Sequence, residues 1–472
     1  MGKVNRDKRP RVEASRLCGR LKWSFPRVLQ MGRSMGRAFS PRFFMNVALS
    51  AWWLLVLAVP VLLAGEALLR RFPGLARCNI PASVAGGLLG AAVVLGLQAS
   101  GVLQITWQTK VTAAWWTWLA TPEPEWFTRP AKAINLPLLV GFFTCVGLAA
   151  PVSILRTGGR ALVILLGAAT LMAVLQNVVG VALARALDAP PLLGVVCGSL
   201  TLVGGHGTVL GFASRFEEAG FTAAATVGAA AATFGLVASG LLAGPLAEWL
   251  LRKNGGSAKP ASPVSSAPET TIVRRGLVAD VREFLGDRRA ALTHVLVVAA
   301  CIKVGAWVSF GLNAMGAAFP AYMGALLTGL ALRAAHDAAG ATWLRGATLA
   351  RLGGVLLALF LVVTLTALNL AELASVAGPM LIILVVNIAV SLAFAALIVW
   401  PLLGRDHEAA VMVAGLVGFG VGSTATAVAS MDAIVRRRGP APRAQAIVPA
   451  TGGFLIDLTN APTTTAFLQW LR

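Results

Sequence analysis

The sequence predicts an all-α, polytopic membrane protein with ten transmembrane helices in two inverted five-helix repeats, each repeat carrying a re-entrant hairpin. Three observations predict it. The 472 residues are 57% hydrophobic and only 12% charged, with a mean hydropathy of +0.77, well outside the range of ordinary soluble domains. Ten stretches are apolar for about the 20 residues that a helix needs to cross hydrocarbon. A polar segment near the middle divides them five and five, and an odd number of spans before it inserts the second half upside down relative to the first.

Residues 1–44 form a basic tail. The first membrane repeat, 45–251, holds candidate spans at 46–68, 80–102, 134–153, 160–186 and 222–251. Trp clusters at 52–53 and 115–118 read as anchors at the membrane–water boundary. Residues 252–290, opening RKNGGSAKPASPVSSAPETTIVRRG, are rich in Pro, Ser and charge, the composition of a solvated, cytoplasmic linker. The second repeat, 291–472, holds spans at 291–312, 317–333, 347–370, 377–403 and 444–470. Two further stretches, 190–213 and 408–431, are rich in Gly, Ser and Thr, and each precedes the long last helix of its half.

The net charge of +21 suggests nucleic acid only until its distribution is read. Twelve of the 40 Lys and Arg lie before residue 43, against Asp7 and Glu13, and the rest fall mostly in loops between apolar spans. That is topology-setting charge rather than a phosphate-binding groove. If the first span starts outside, Arg70, Arg71, Arg77, Arg156, Arg160, Arg333, Arg345, Arg436 to Arg438, Arg443 and the linker all lie in the cytoplasm. The basic tail would then have to cross the membrane, so we expect residues 1–44 to be absent from the working protein, with translation beginning at or near Met45; the alternative is an extra cytoplasmic extension with the first span re-oriented or tucked away. Intact-mass measurement checks this. The five cysteines (18, 78, 145, 197 and 301) have no metal-ligand spacing and read as small apolar fillers. His294, His336 and His407 lie at loop edges without ligand-like spacing.

Within hydrocarbon every backbone amide needs a partner, so a broken helix survives only where protein buries it or where it lines a cavity. In LVGGHGTVLG, Gly204, Gly205 and Gly207 let the chain open and turn, and the freed N–H groups make a cradle for an anion, with His206 and Thr208 as added donors. GVGST (420–424) mirrors GGHGT (204–208) in the other half, matching Gly204 to Gly420 and Thr208 to Thr424, and offers Ser423, Thr424 and Thr426. Small residues also let membrane helices touch, so glycine alone marks nothing. Paired Gly-interrupted segments at corresponding positions point to a transporter site near the bilayer midplane.

Polar groups inside the spans extend the candidate site. Gln176 and Asn177 lie deep in the fourth span, Asn387 in the ninth, and Asp457 with Asn460 on nearly one face of the tenth. A carboxylate at that depth costs several kcal/mol unless partnered, so Asp457 either serves function or is locked in a static hydrogen-bond network. Sodium, a hard cation, suits the carboxylate and amide oxygens of Asp457, Asn460, Gln176 and Asn177, while Asn387 is counted with the tip residues as a substrate contact. Lys303 is expected to snorkel toward the cytoplasmic surface. No GxxxxGK[ST], HExxH, GxSxG or strand–GxGxxG–helix motif is present, so the chain reads as no enzyme, and uphill transport would draw on an ion gradient.

The sequence from about residue 46 to 470 resembles the bacterial glutamate:sodium symporter family. The stretches that carry the resemblance are NIPASVAGGLLG (79–90), TCVGLAAPVSILRTGGR (144–160), LQNVVG (175–180), GSLTLVGGHGT (198–208), FTAAATVGAAAATFGLVASGLLAGPLA (221–247), PMLIILVV (379–386), GFGVGSTATAVASM (418–431) and RRGPAPRAQAIVPATGGFLIDLTNA (437–461). The resemblance implies a homodimer in the cell inner membrane, an elevator-type transport domain moving against a scaffold, and Na+-coupled uptake of L-glutamate. It places the re-entrant tips at Gly204 to Thr208 and Gly420 to Thr426, with Gln176, Asn177, Asp457 and Asn460 at polar positions of the family. Departures lie near this core: PASVAGG has Ala82 or Ser83 where the family carries an acid, and Ala149 and Ala425 replace an asparagine and a proline. A sodium- or proton-coupled carrier of another small organic anion, such as a di- or hydroxycarboxylate, is the alternative they leave open.

Overall fold

The computed structural model describes residues 45–72, 74, 80–101, 103–150, 158–253, 277–315, 319–373 and 376–472. The basic tail to residue 44, the middle of the linker (254–276), Cys18, Cys78, Arg77 and Arg156 lie outside the described residues. In chain order, β1 (Met45–Leu49) leads into α1 (Ala51–Arg71) and α2 (Ala82–Ala99). Next come β2 (Leu103–Trp107), β3 (Lys110–Thr112), the short α3 (Trp115–Trp118) and α4 (Glu123–Thr128), β4 (Ala131–Ala133), α5 (Leu136–Ala149) and the long α6 (Gly159–Ala186). The first Gly-rich stretch is broken into α7 (Pro191–Val196), α8 (Ser199–Leu202) and α9 (Gly205–Glu218), and α10 (Ala224–Lys253) closes the half. The second half contains α11 (Leu277–Phe284), α12 (Arg288–Ala314), α13 (Ala321–Ala338), α14 (Gly346–Thr366), α15 (Leu370–Leu373) and α16 (Ala377–Leu402). Its Gly-rich stretch becomes α17 (His407–Val421) and α18 (Thr424–Arg438), and α19 runs over 442–470.

Apolar runs of Ala, Val, Leu and Gly close their own backbone hydrogen bonds as helices, which is what hydrocarbon demands of a single segment. Among the described residues seven helices are long and apolar enough to cross a membrane: α1, α2, α6, α10, α12, α14 and α16. The other three expected spans are helical too, but differently built. α5 has 14 residues, α13 carries Arg333, His336 and Asp337 in its 18, and α19 is interrupted by a π-helical turn at Thr451–Leu455. The chain is thus a mostly helical, multi-pass membrane protein.

The expectation of an all-helical chain needs one correction. β1 pairs in parallel with β2, Met45 opposite Leu103, and β3 pairs antiparallel with β4, Lys110 opposite Ala133. These residues flank spans rather than cross anything, and β-branched and aromatic residues such as those of QITW and KVT fit a pleated pair there. The first expected span accordingly yields its opening residues to β1, and its helix starts at Ala51.

The helices pack as two bundles, each drawing on both halves of the sequence. One is formed by α1, α2 and α5 with α12, α13 and α14; the other by α6 to α10 with α16 to α19. Close approach needs missing side chains: a Cβ on Gly180 would stand 2.2 Å from the Gly194 carbonyl oxygen, which fixes α7 directly on α6. The bundles meet where α5, α13 and α14 face α9 and α19, and a cavity of about 390 Å³ lies at that junction, lined by Phe142, Ala149, Gly353, Pro449 and Gly453 among others.

The Lys303 ammonium turns to the segment between α2 and α5. Its Nζ donates to the carbonyls of Trp118 (3.1 Å) and Thr121 (2.8 Å), pairs with Glu123 Oε1 at 2.8 Å and lies over the Trp118 ring. All these partners belong to the segment between α2 and α5, on the side that the charge count assigns to the exterior. The Lys303 ammonium holds the Glu123 carboxyl below its ordinary range. A depressed carboxyl contributes stability above its ordinary range and loses it as pH falls through the folded value. Lys303→Met is therefore expected to lower the thermal unfolding midpoint at pH 7 and to flatten its fall toward acid, as followed by tryptophan fluorescence.

Candidate functional site

The two broken segments bring their tips together. α8 ends at Leu202, and the chain turns through Val203 and Gly204 before α9 starts at Gly205 with φ +63°, a left-handed conformation that favours glycine. In the other half α17 stops at Val421, Gly422 turns, and Ser423 caps α18: its Oγ accepts from Thr426 N, and Thr426 Oγ1 accepts from Ser423 N. α17 and α18 then double back on each other, and a Cβ on Gly418 would collide with Ala427 Cα. A Cβ on Gly205 would stand 3.6 Å from the Gly422 carbonyl oxygen. The predicted tips 204–208 and 420–424 are thus neighbours in space, although more than 200 residues separate them in the chain.

Side chains around the tips tie them to the bundle behind. Gly204 to Gly207 are partly accessible, while Thr208 is buried. His206 Nε2 lies 3.0 Å from Thr233 Oγ1 on α10. Thr424 Oγ1 donates to the Gly452 carbonyl at 2.6 Å, inside the π turn of α19. Thr426 Oγ1 donates toward the Gly418 carbonyl (2.9 Å) and accepts from Ser239 Oγ (3.1 Å). Asp457, one turn beyond that π turn, accepts a long 3.4 Å hydrogen bond from Thr208 Oγ1. Ser423, Thr424 and Asp457 are each partly accessible, and hydroxyls, N–H groups and one carboxylate lie at the meeting of two helix breaks.

The remaining predicted residues form a second group, wholly buried. Asn177 Oδ1 accepts from Ser199 N (2.9 Å), and Asn460 Nδ2 donates to the Ser199 carbonyl (3.2 Å). Asn387 Nδ2 donates to the Cys197 carbonyl (3.1 Å). Gln176 Nε2 donates to Ser391 Oγ and to the Gly420 carbonyl, both at 2.9 Å. Asn387, considered from the sequence as a substrate contact, thus sits with the amides at the α7–α8 bend, whereas Asp457, considered with those amides, sits at the tips. No group of three or more His, Cys, Asp or Glu clusters among the described residues, so a cation here relies largely on amide, hydroxyl and carbonyl oxygens.

Three contributors escaped the sequence. Tyr322 on α13 is buried, stacks on Phe143 with ring centroids 3.9 Å apart, and directs its unpartnered hydroxyl toward Thr208 and Asp457. It is the only tyrosine in the chain, a signal that was available. Ser199 and Ser239 carried none, since small hydroxyls are common in membrane helices as packing residues.

Comparison with known proteins follows the same lines. The sequence model of the sodium/glutamate symporter family matches residues 127–440. The sodium/glutamate symporter of Escherichia coli is 34% identical over 408 residues, covering 86% of this chain and 94% of that protein. The sodium/glutamate symporter of Haemophilus influenzae is 32% identical over 422 residues, covering 88% of this chain and 96% of that protein. No solved structure matches.

Proposed function

The chain belongs to the sodium/glutamate symporter family, and from that premise we propose that it imports L-glutamate with sodium by alternating access. The observation that carries the reading is the meeting of two helix breaks, one from each half, at Gly205 and Gly422 beside Asp457. Broken helices facing each other are the arrangement in which N–H groups hold an anion while unwound carbonyls and a carboxylate hold the cation. The substrate is held by the tip residues Gly204 to Thr208 with Ser423, Thr424 and Thr426; sodium is held by Asp457 and by the buried amides of Gln176, Asn177 and Asn460.

The two bundles supply moving and fixed parts. The bundle of α6 to α10 with α16 to α19 carries every residue of both tips, and the other meets it at the cavity-bearing junction. This division supports ten spans in two inverted repeats, an elevator motion of the site-bearing bundle, and a homodimer formed through the other in the cell inner membrane. Charge sets the stoichiometry. Each elementary charge moved through 100 mV is worth about 2.3 kcal/mol, so a monoanionic glutamate entering with one sodium gains nothing from the potential. At least two sodium ions are required for the potential to assist.

The test is uptake of labelled L-glutamate by the purified protein in proteoliposomes, with D-glutamate, aspartate and citrate as competitors. The expected result is uptake driven by an inward sodium gradient, raised by an inside-negative potential, and blocked by unlabelled L-glutamate. Uptake indifferent to sodium, or suppressed by citrate but not by glutamate, overturns the assignment.

A further inference from the structure

A second cavity lies away from both tips, between α10 and α18, the second arm of the second hairpin. It has a volume of about 390 Å³ and follows one face of each helix: Gly240, Gly244 and Glu248 on α10, Ser430, Ala433 and Arg437 on α18. Eight residues of helix give the cleft a length of about 12 Å. Small residues usually let membrane helices touch, and Gly235 on the same helix does so, with an added Cβ 2.3 Å from the Val421 carbonyl oxygen. At Gly244 an added Cβ would meet nothing within 4 Å. The missing side chain is not taken up by the neighbouring helix, and the space stays open. Ala433 is exposed, as are Leu241, Pro245 and Trp249 on the adjoining stripe of α10, so the cleft opens at the surface of a membrane-spanning helix.

Charge gathers at one end of the cleft. Arg252 and Lys253 close α10, and Arg436, Arg437 and Arg438 close α18, at the end that the charge count assigns to the cytoplasm. The acids among them, Glu248 and Asp432, are engaged: Glu248 Oε2 accepts from Arg438 Nη2 at 2.7 Å, and Asp432 is turned to Arg436 and to Gln445 of α19. Arg437, on the cleft wall, is exposed and forms no ion pair among the described residues. An occupant that fits is apolar along its length and anionic at one end. We propose that the α10–α18 cleft seats an anionic phospholipid of the cytoplasmic leaflet, with an acyl chain along Gly240, Gly244 and Ala433 and the phosphate at Arg437. Basic pockets between membrane helices on that side suit such headgroups. Water is the poorer occupant, because those three residues offer it no side-chain partner. Trp249, with Lys253 Nζ 5.0 Å from its ring centroid, stands at the level of the headgroup, where tryptophan is favoured. α18 is the arm that carries Thr424 and Thr426, so a lipid seated against it stabilises the hairpin, and the gain is read as a rise in unfolding midpoint. The site is independent of what the tips hold.

The test is the unfolding midpoint of the purified full chain in detergent, titrated separately with phosphatidylglycerol, phosphatidylcholine and inorganic phosphate. Phosphatidylglycerol is expected to raise the midpoint, while the zwitterionic lipid and free phosphate leave it unchanged. Arg437→Gln is expected to need about fivefold more phosphatidylglycerol for the same rise, the worth of one basic residue at an anionic surface. Gly244→Leu keeps every charge and fills the cleft, so it is expected to melt no lower than the wild type without lipid and to lose the rise. Ala433→Leu fills the same space from the exposed side of α18 and covers a folding failure of the leucine at 244. Arg160→Gln removes a cation assigned to the same side of the membrane, on α6, and is expected to respond like the wild type. Leucine variants that keep the full rise, an Arg437→Gln protein no weaker than Arg160→Gln, or an equal rise with phosphatidylcholine or inorganic phosphate overturns the proposal.

Discussion

Asp457→Asn is expected to cut sodium-driven glutamate uptake by about a hundredfold or more, the range seen when a metal site loses a key partner, while the folded protein becomes no less stable in sodium-free buffer. The two halves of that result have one cause. Asp457 lies within α19, and its only described hydrogen bond is the long one from Thr208. No Lys or Arg pairs with it among the described residues. A carboxylate with so little compensation is costly to hold inside a membrane helix even when partly accessible, so an isosteric amide relieves the apo protein. The loaded state needs the charge, because a cation beside neutral oxygens alone has less to offset its dehydration. Asp457→Glu keeps the charge on a longer arm and should recover part of the uptake. Thermal unfolding without sodium and initial uptake rates with it are the two measurements; full uptake by the asparagine variant would remove Asp457 from the mechanism.

The sequence made some of this legible because hydrocarbon renders polar and flexible residues conspicuous. Gly204, Gly205 and Gly207 beside a histidine stand out in an apolar run, and so do Gln176, Asn387, Asp457 and Asn460 inside spans that have no other reason to carry them. The family suggested by GGHGT and its companion stretches is the one whose members match the chain. What pattern could not supply was grouping. Asp457 and Asn460 share a helix face by spacing, yet the π turn before them and the position of α9 send one to Thr208 and the other to Ser199. Tyr322 reaches the site from the opposite bundle, and no local periodicity relates it to Thr208. Lys303 could only be judged by its depth, whereas its direction was decided by the α3–α4 segment folding over it. The short strands were missed for a similar reason: apolar residues at a span edge read as the start of the helix until a partner strand claims their backbone.

Gly235→Ala should abolish uptake through displacement alone, touching no ligand. Gly235 lies on α10 where that helix crosses the end of α17, and an added Cβ would stand 2.3 Å from the Val421 carbonyl oxygen, far inside contact distance. The obstacle is backbone, so no rotamer change relieves it, and either α10 or the tip at Val421–Gly422 must move. Overpacking of this kind costs about 1–3 kcal/mol, enough to lower the unfolding midpoint without preventing folding. The tip is the softer partner, because Gly422 and Ser423 form the break between α17 and α18, and its shift separates Gly422 from Gly205 and drags Thr426 from Ser239. Gly167→Ala supplies the control: it lies exposed on α6 with nothing within 4 Å of the added carbon, and alanine there should be neutral or slightly stabilising. The contrast separates helix propensity from tip geometry. An alanine at 235 that transports normally would mean that the meeting of the two tips tolerates a displacement of this size, and the anion would then have to be held elsewhere.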